Sequence, residues 1–314
     1  MKIFNTSLLT WGIAVLALAA TGCMPLRRAD GESQGGGASS LKVIGGQEVR
    51  DDQYPAVRRL DTFKRESWGG FSLHSVCTMT FVRPAVALTA AHCVCRGERH
   101  VYKDREKMQD VVARRIERHP AYRCGDQNTA AHDIALVWFD EKLLNMQHAT
   151  IADPEQLASS GQLLIVGYGD NMLKITGSFW LGTRRAESFR SKPAGGLVHG
   201  ELNGKRAAVI PWDTAAPAAD GFIKVAAEFD VEETGDITAV SEFGAAGEGD
   251  SGGPALLPES GRIIAVAALG AYQAQGIRSN RVKVSTHLVD LRSDGIRRFL
   301  KNFEIIPVNA YDSQ

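Results

Sequence analysis

The sequence predicts an all-β fold, a barrel or a sandwich, closed by one terminal helix. Two observations carry that expectation. From residue 43 onward the apolar residues fall into short runs of strand length, rich in branched side chains and separated by turn residues. Helical spacing of apolar residues is convincing only near the C-terminus. The bulk numbers agree. A length of 314 residues suits one large β domain or two modest ones, and 44% apolar with 23% charged residues is the profile of a soluble protein with a proper core.

The elements follow in order. Residues 1–22 read as a signal peptide: Lys2 supplies the positive start, and residues 8–20 form an apolar stretch broken by Thr10 and Gly12. That stretch is shorter than the roughly 20 residues of a comfortable membrane span. It ends in Ala20-Thr21-Gly22-Cys23, which resembles a bacterial lipoprotein box, with Cys23 as the lipid carrier. A plain secretory signal is the simpler alternative. Either reading sends the chain out of the cytoplasm into an oxidising compartment, and the first predicts the bacterial cell envelope. Residues 23–42 are poor in apolar side chains and rich in Gly and Ser, a flexible linker. Order is expected from Val43-Ile44-Gly45-Gly46. Strands are expected at Thr78-Met79-Thr80-Phe81-Val82, Ala85-Val86-Ala87-Leu88-Thr89, Ile134-Ala135-Leu136-Val137-Trp138-Phe139, Leu163-Leu164-Ile165-Val166, Ala255-Leu256-Leu257 and Ile263-Ile264-Ala265-Val266-Ala267-Ala268-Leu269. Asp294 is expected to cap a helix with Ile296, Phe299 and Leu300 on one face. Residues 307–314 are a tail.

Charge excludes some functions. Lys plus Arg and Asp plus Glu number 36 each, so nothing argues for nucleic acid or a strongly acidic partner. Of five cysteines, four remain once Cys23 is set aside, and four can pair in three ways. Cys77 with Cys93 would tie the strand before His92 to the loop carrying it; Cys95 with Cys124 follows by elimination. The histidines other than His92, among them His100, His119 and His132, read as surface or loop residues. No pair of them has zinc spacing, so no metal and no cofactor is expected.

Three strings carry the chemistry: Thr89-Ala90-Ala91-His92-Cys93, His132-Asp133-Ile134-Ala135-Leu136 and Gly249-Asp250-Ser251-Gly252-Gly253-Pro254. A serine hydroxyl is a weak nucleophile. It needs a base, and the base needs a partner that fixes its tautomer. His92, Asp133 and Ser251 supply those types in one of the chain orders known for this device. The glycines beside Ser251 permit a tight turn that exposes N–H groups, assigned to Gly249 and Ser251 as donors to a developing oxyanion. The string also matches G-x-S-x-G of α/β-hydrolases. That fold needs βα alternation and a later acid and histidine; after the serine only His287 follows.

With these residues in view, the chain resembles the chymotrypsin/trypsin family of serine endopeptidases over roughly residues 43–303. Val43-Ile44-Gly45-Gly46, Cys77, the three strings, Val166-Gly167-Tyr168-Gly169 and the terminal helix carry the resemblance. It implies two perpendicular six-stranded antiparallel β-barrels (chymotrypsin-like) with a C-terminal helix. The protease domain would span 43–306, with barrels of about 43–155 and 156–290. It also implies a monomer acting on protein or peptide substrates, with His92 as general base, Asp133 as its orienting carboxylate and Ser251 as nucleophile. Activation would follow cleavage after Lys42, with the freed Val43 ammonium pairing with Asp250. A specificity pocket would be formed by Ala245, Ala246 and Gly270. An apolar floor disfavours Lys or Arg at the residue before the cleaved bond, P1, and favours apolar or aromatic P1. A separate activating protease would then be needed for the cut after Lys42. Departures are Gly247 in place of the pocket cysteine, Ala268 in place of a serine near the triad, and poor alignment over 171–243. The second reading is a non-catalytic relative that binds a partner on the same scaffold.

Overall fold

The computed structural model describes residues 43–307 except 51, 96, 98, 105–108, 141–145, 156–160, 171, 177–184, 190–204, 213–219, 232–236, 240–242 and 277–278. The signal segment, Cys23, the linker with Lys42, residues 308–314, His199 and much of 171–243 therefore lie outside the described residues. The described residues all belong to one unit, Ser39–Gln314.

In the first half the strands are β1 (Gln47–Glu48), β2 (Val57–Arg65), β3 (Phe71–Arg83), β4 (Val86–Thr89), β5 (Arg99–Asp104), β6 (Gln109–Val112), β7 (Arg115–Arg118) and β8 (Ala135–Trp138). The second half holds β9 (Gln162–Gly167), β10 (Met172–Thr176), β11 (Arg185–Phe189), β12 (Arg206–Pro211), β13 (Phe222–Val231), β14 (Ile237–Ala239), β15 (Pro254–Leu256), β16 (Ile263–Ala274) and β17 (Arg281–Asp290), then helix α1 (Asp294–Asn302). They form two curled antiparallel sheets, ordered β6-β5-β2-β3-β4-β8-β7 and β1-β12-β9-β15-β16-β17-β13-β14, with β10-β11 as a separate pair.

The first sheet reduces to six strands around a closed curve. β6 pairs with β5 and β7 pairs with β8, at opposite ends of the order, yet only Ala113 and Arg114 separate β6 from β7. One strand, broken at those two residues, therefore joins both edges. The break still continues the ladders: Ala113 N donates to His100 O at 2.9 Å and Arg114 N to Trp138 O at 2.8 Å. Among the described residues the first sheet keeps no free edge to pair with another chain. The second sheet gains its extra strands from the short edge pieces β1 and β14, and β12 also lies against β13. The strand β1 is the first among the described residues but belongs to the second sheet.

Alternation fills each interior. Leu60, Met79, Phe81, Ala87, Tyr102, Val137 and Phe139 form the first core, with the Phe81 ring 5.8 Å from those of Tyr102 and Phe139. Leu163, Ile165, Ile210, Ile223, Ile264 and Leu288 form the second. A third cluster lies between the sheets, where Leu88 and Leu136 meet Val166, Val266 and Val289 under Ile296, Phe299 and Leu300 of α1. Each such side chain removed from water contributes on the order of 2 kcal/mol. The catalytic candidates lie along this seam.

Two expectations are corrected. The helix cap is Ser293, with extended backbone (φ −63°, ψ 139°), because the first intrahelical bond runs from Arg297 N to Ser293 O. Asp294 is the first helical residue, where its carboxylate still favours the positive end of the helix. His100 and His119 are buried, 6% exposed each. His100 lies in β5 with Nδ1 3.0 Å from the Thr62 hydroxyl. His119 Nδ1 accepts from Ala121 N, which leaves Nε2 to donate to Gly295 O at 3.2 Å. Burial holds both imidazoles below their ordinary pKa, with the neighbouring His132 adding to the effect on His119.

Candidate active site

Strand register delivers the acid–base pair. β4 and β8 are neighbours, with Thr89 opposite Ala135. His92, three residues past Thr89, and Asp133, two before Ala135, therefore emerge at the same end of the sheet. A 3-10 turn, Ala91–Val94, carries His92. Another, Gln127–His132, leads to Asp133 and is capped by the Asp126 carboxylate accepting from Asn128 N. Asp133 is 1% exposed and its two oxygens are spent on one residue. Oδ2 lies 2.6 Å from His92 Nδ1, and Oδ1 accepts from His92 N at 2.8 Å. A carboxylate only accepts, so Nδ1 carries the proton facing Asp133, and the neutral tautomer that fits this contact has its lone pair on Nε2. Burial first, then the charge of Asp133, push the Tyr122 hydroxyl up to about 12, so it stays protonated nearby.

Both disulfides flank this pair. Cys77–Cys93 ties β3 to the His92 turn, and Cys95–Cys124 ties the residue three after His92 to the segment leading to Asp133. Cys77, His92 and Cys93 also bring their ligand atoms together, but both sulfurs are bonded to each other and offer no thiolate to a metal.

Ser251 reaches the same place from the second half. Its turn is closed by Asp250 N to Gly247 O (3.1 Å), Gly253 N to Asp250 O (2.8 Å) and Gly252 N to Ala267 O (2.7 Å). Thr78 bolts that turn to the first sheet. Its N donates to Ser251 O at 2.8 Å, and its hydroxyl donates to Gly249 O at 2.9 Å while accepting from Tyr168 N at 3.0 Å. Sequence reasoning missed Thr78; a hydroxyl in a buried apolar strand beside a disulfide cysteine was the available signal. Cys93 Sγ is 3.7 Å from both Ser251 O and His92 Nε2, so the Ser251 backbone and the imidazole approach one sulfur. Among the described residues no hydrogen bond joins the Ser251 hydroxyl to His92; such bonds commonly tighten only with substrate in place. The amides of Gly249 and Ser251 donate to no acceptor among the described residues. Gly249 has φ +97°, a conformation that turns its N–H and is easy only for glycine.

Asp250 is wholly buried, accepting from Gly169 N at 2.7 Å and Gly247 N at 2.8 Å. Gly167 and Gly169 exist to admit it: a Cβ on either would come within 2.1 Å and 2.5 Å of its carboxyl group. Val43 and Ile44 are wholly buried as well, and Ala245 N donates to Ile44 O at 2.9 Å. Ala245 and Ala246 are buried, Gly270 is exposed on β16, and Ala246 N donates to the Thr286 hydroxyl at 3.0 Å. Gly247 has a local reason to lack a side chain, since a Cβ would lie 2.4 Å from Asp170 O.

Two curled antiparallel sheets with a short C-terminal helix define a chymotrypsin-like fold. Solved structures share it: one titled HL collagenase (TM-score 0.53, 15% identity, 85% of this chain and 100% of that one) and a scabies mite inactivated protease paralogue, S-D1 (TM-score 0.51, 13% identity, 85% and 100%). The family model for the trypsin-like peptidase domain matches residues 77–266, more than half of the chain, and the protein belongs to that family. Curated relatives include chymotrypsin-like elastase family member 1 of Canis lupus familiaris, 27% identical over 143 residues, 42% of this chain and 53% of the relative. The Felis catus counterpart is 26% identical over 151 residues, 44% and 54%. The chain thus spans about half the length of the curated relatives it matches.

Proposed function

We propose that this protein is an exported serine endopeptidase. The observation that carries the reading is the 2.6 Å contact between His92 Nδ1 and the buried Asp133 carboxylate beside the Ser251 turn. His92 Nε2 takes the Ser251 proton as Oγ attacks a peptide carbonyl. The resulting oxyanion is held by the amides of Gly249 and Ser251, where losing one donor costs on the order of 10²–10³ in rate. His92 then protonates the leaving amine, and water repeats the sequence on the acyl-enzyme. The substrate is protein or peptide. The working unit is residues 43–306, its halves meeting near 155–156. Fluorophosphonate labelling of the processed protein tests this: Ser251 is modified, and Ser251→Ala and His92→Ala abolish it. No labelling of a correctly processed sample would identify a binding protein on a peptidase scaffold instead.

Activation follows cleavage after Lys42. Support comes from the burial of both Val43 and Asp250, and from the Val43 backbone. Its φ of +47° lies in the left-handed region, an outlier for a β-branched residue, and that torsion ceases to exist once the Lys42–Val43 bond is cut. A new ammonium there would pair with the buried Asp250 carboxylate. Lys42→Gln is expected to leave a full-length, inactive protein; normal activity would refute the step. If Cys23 carries a lipid, the same cut frees the catalytic domain from the envelope membrane, since residues 24–42 contain no cysteine to hold the pieces together. Active enzyme confined to the detergent phase would exclude release.

A further inference from the structure

Resting on that reading of Ser251 and of the pocket, we infer that Tyr272 determines specificity: its hydroxyl stands against Gly270 beside Ala246 and limits P1 to glycine, alanine or serine.

Strand parity and register place it there. Gly270 and Tyr272 are two residues apart on β16 and share a face. Across the ladder their partners on β17 are Thr286 and Val284. Thr286 is wholly buried and its hydroxyl accepts from Ala246 N, so it spans from β17 to the pocket floor. Tyr272 packs against the cluster that contains Ala245 and Val284. The shared face of Gly270 and Tyr272 is thus turned toward residues 245–246.

The spacing then decides what fits. A Cβ on Gly270 would stand 3.5 Å from Tyr272 Oη and 3.7 Å from Ala246 O. The Tyr272 phenol end is thus in van der Waals contact with the space beside Gly270. The bare glycine therefore does not open a slot for an aromatic side chain, because the tyrosine hydroxyl meets the space it leaves. A methyl or hydroxymethyl group meets the tyrosine hydroxyl and stops. No carboxylate lies among Ala245, Ala246, Thr286 and Tyr272 to pair with Lys or Arg, and Glu248 is exposed outside them.

The test uses the processed protein and tetrapeptide 4-nitroanilides identical except for P1 Ala, Phe or Lys. kcat/KM for Ala is expected to exceed that for Phe by about tenfold or more, with Lys lowest. Tyr272→Ala should raise the Phe-to-Ala ratio at least about tenfold, Thr286→Gly should raise it less, and Tyr272→Phe should keep the parent ranking. Equal or faster cutting after Phe by the parent enzyme, or an unchanged ratio in Tyr272→Ala, overturns the inference. So does a labelled enzyme that cuts none of the three substrates. Fluorophosphonate labelling, run on every variant, separates the levels. A labelled Ser251 with the wrong P1 ranking defeats the role of Tyr272 alone, whereas an unlabelled parent defeats the proposed catalysis. Should Tyr272→Ala fail to label, Thr286→Gly decides by the same ratio.

Discussion

The two sheets solve different problems with different materials. The first carries His92 and Asp133, holds both disulfides, and encloses an aromatic core. The second carries the Ser251 turn and, among the described residues, has no disulfide; around Asp250 it relies on Gly167 and Gly169 to admit the carboxyl group and on Gly247 and Gly253 to let backbone approach backbone. A proton relay needs side chains fixed in orientation, which covalent staples near each member supply. Oxyanion stabilisation needs N–H groups left without an internal acceptor, which a tight glycine-rich turn can present. The division of labour follows from which atoms each half contributes.

Asp133→Asn should break the first half at its functional centre with the largest effect. An amide at that position cannot hold the Nδ1–H tautomer and stabilise the imidazolium, and kcat/KM should fall on the order of 10⁴-fold, about 5.5 kcal/mol of barrier. A fall of less than tenfold against a good peptide substrate would mean the pair is structural. Gly252→Ala strikes the second half instead. With φ +85°, its Cβ would lie 2.1 Å from both Thr78 O and Thr89 Oγ1. Neither neighbour can retreat, because Thr89 Oγ1 donates to Thr78 O at 2.8 Å. The destabilisation should exceed about 4 kcal/mol in denaturant titration. A smaller effect comes from Cys95→Ser with Cys124→Ser. The bond closes a loop of sequence separation 29, worth about 3–4 kcal/mol in the chain-entropy account. If the contrast between halves is real, activity and fluorophosphonate labelling in this variant should fall together with the His92–Asp133 geometry, while amide-exchange protection in β15, β16 and β17 persists.

Much of this was readable in the chain, and what was not has a physical cause. The three strings, the strand runs and the cysteine pairs are local or nearly so. The split of one strand at Ala113-Arg114 leaves no mark, since a bend that keeps its hydrogen bonds needs no glycine or proline. His100 and His119 read as peripheral because a histidine in a polar string is usually solvated; their burial depends on Thr62, Gly295 and Phe299 arriving from distant segments. The role proposed for Tyr272 emerges only when the β16–β17 register sets Thr286 and Val284 opposite. Parity along the strand was the available signal, but the pairing partner was not.

Acid should expose the difference between the halves more gently than any substitution. His100 lies inside the first sheet with its pKa lowered by burial, whereas His287 on β17 is half-buried and lowered by burial and then Lys224, with Asp220 opposing. A folded pKa below the unfolded value means the unfolded chain takes up the proton first. Stability from His100 is therefore intact above its unfolded pKa of about 6.5 and is lost as pH falls through the lower folded value. Each such histidine adds at most about 1.4 kcal/mol per pH unit to the slope. Denaturant titrations from pH 7.5 to 5 should show that slope become shallower by up to one proton in His100→Gln. Amide exchange at the acid end should rise in β5 and the facing part of β2 before it rises in β16 and β17. If the second sheet opens first, the disulfides and not the buried imidazoles govern the acid behaviour of the first.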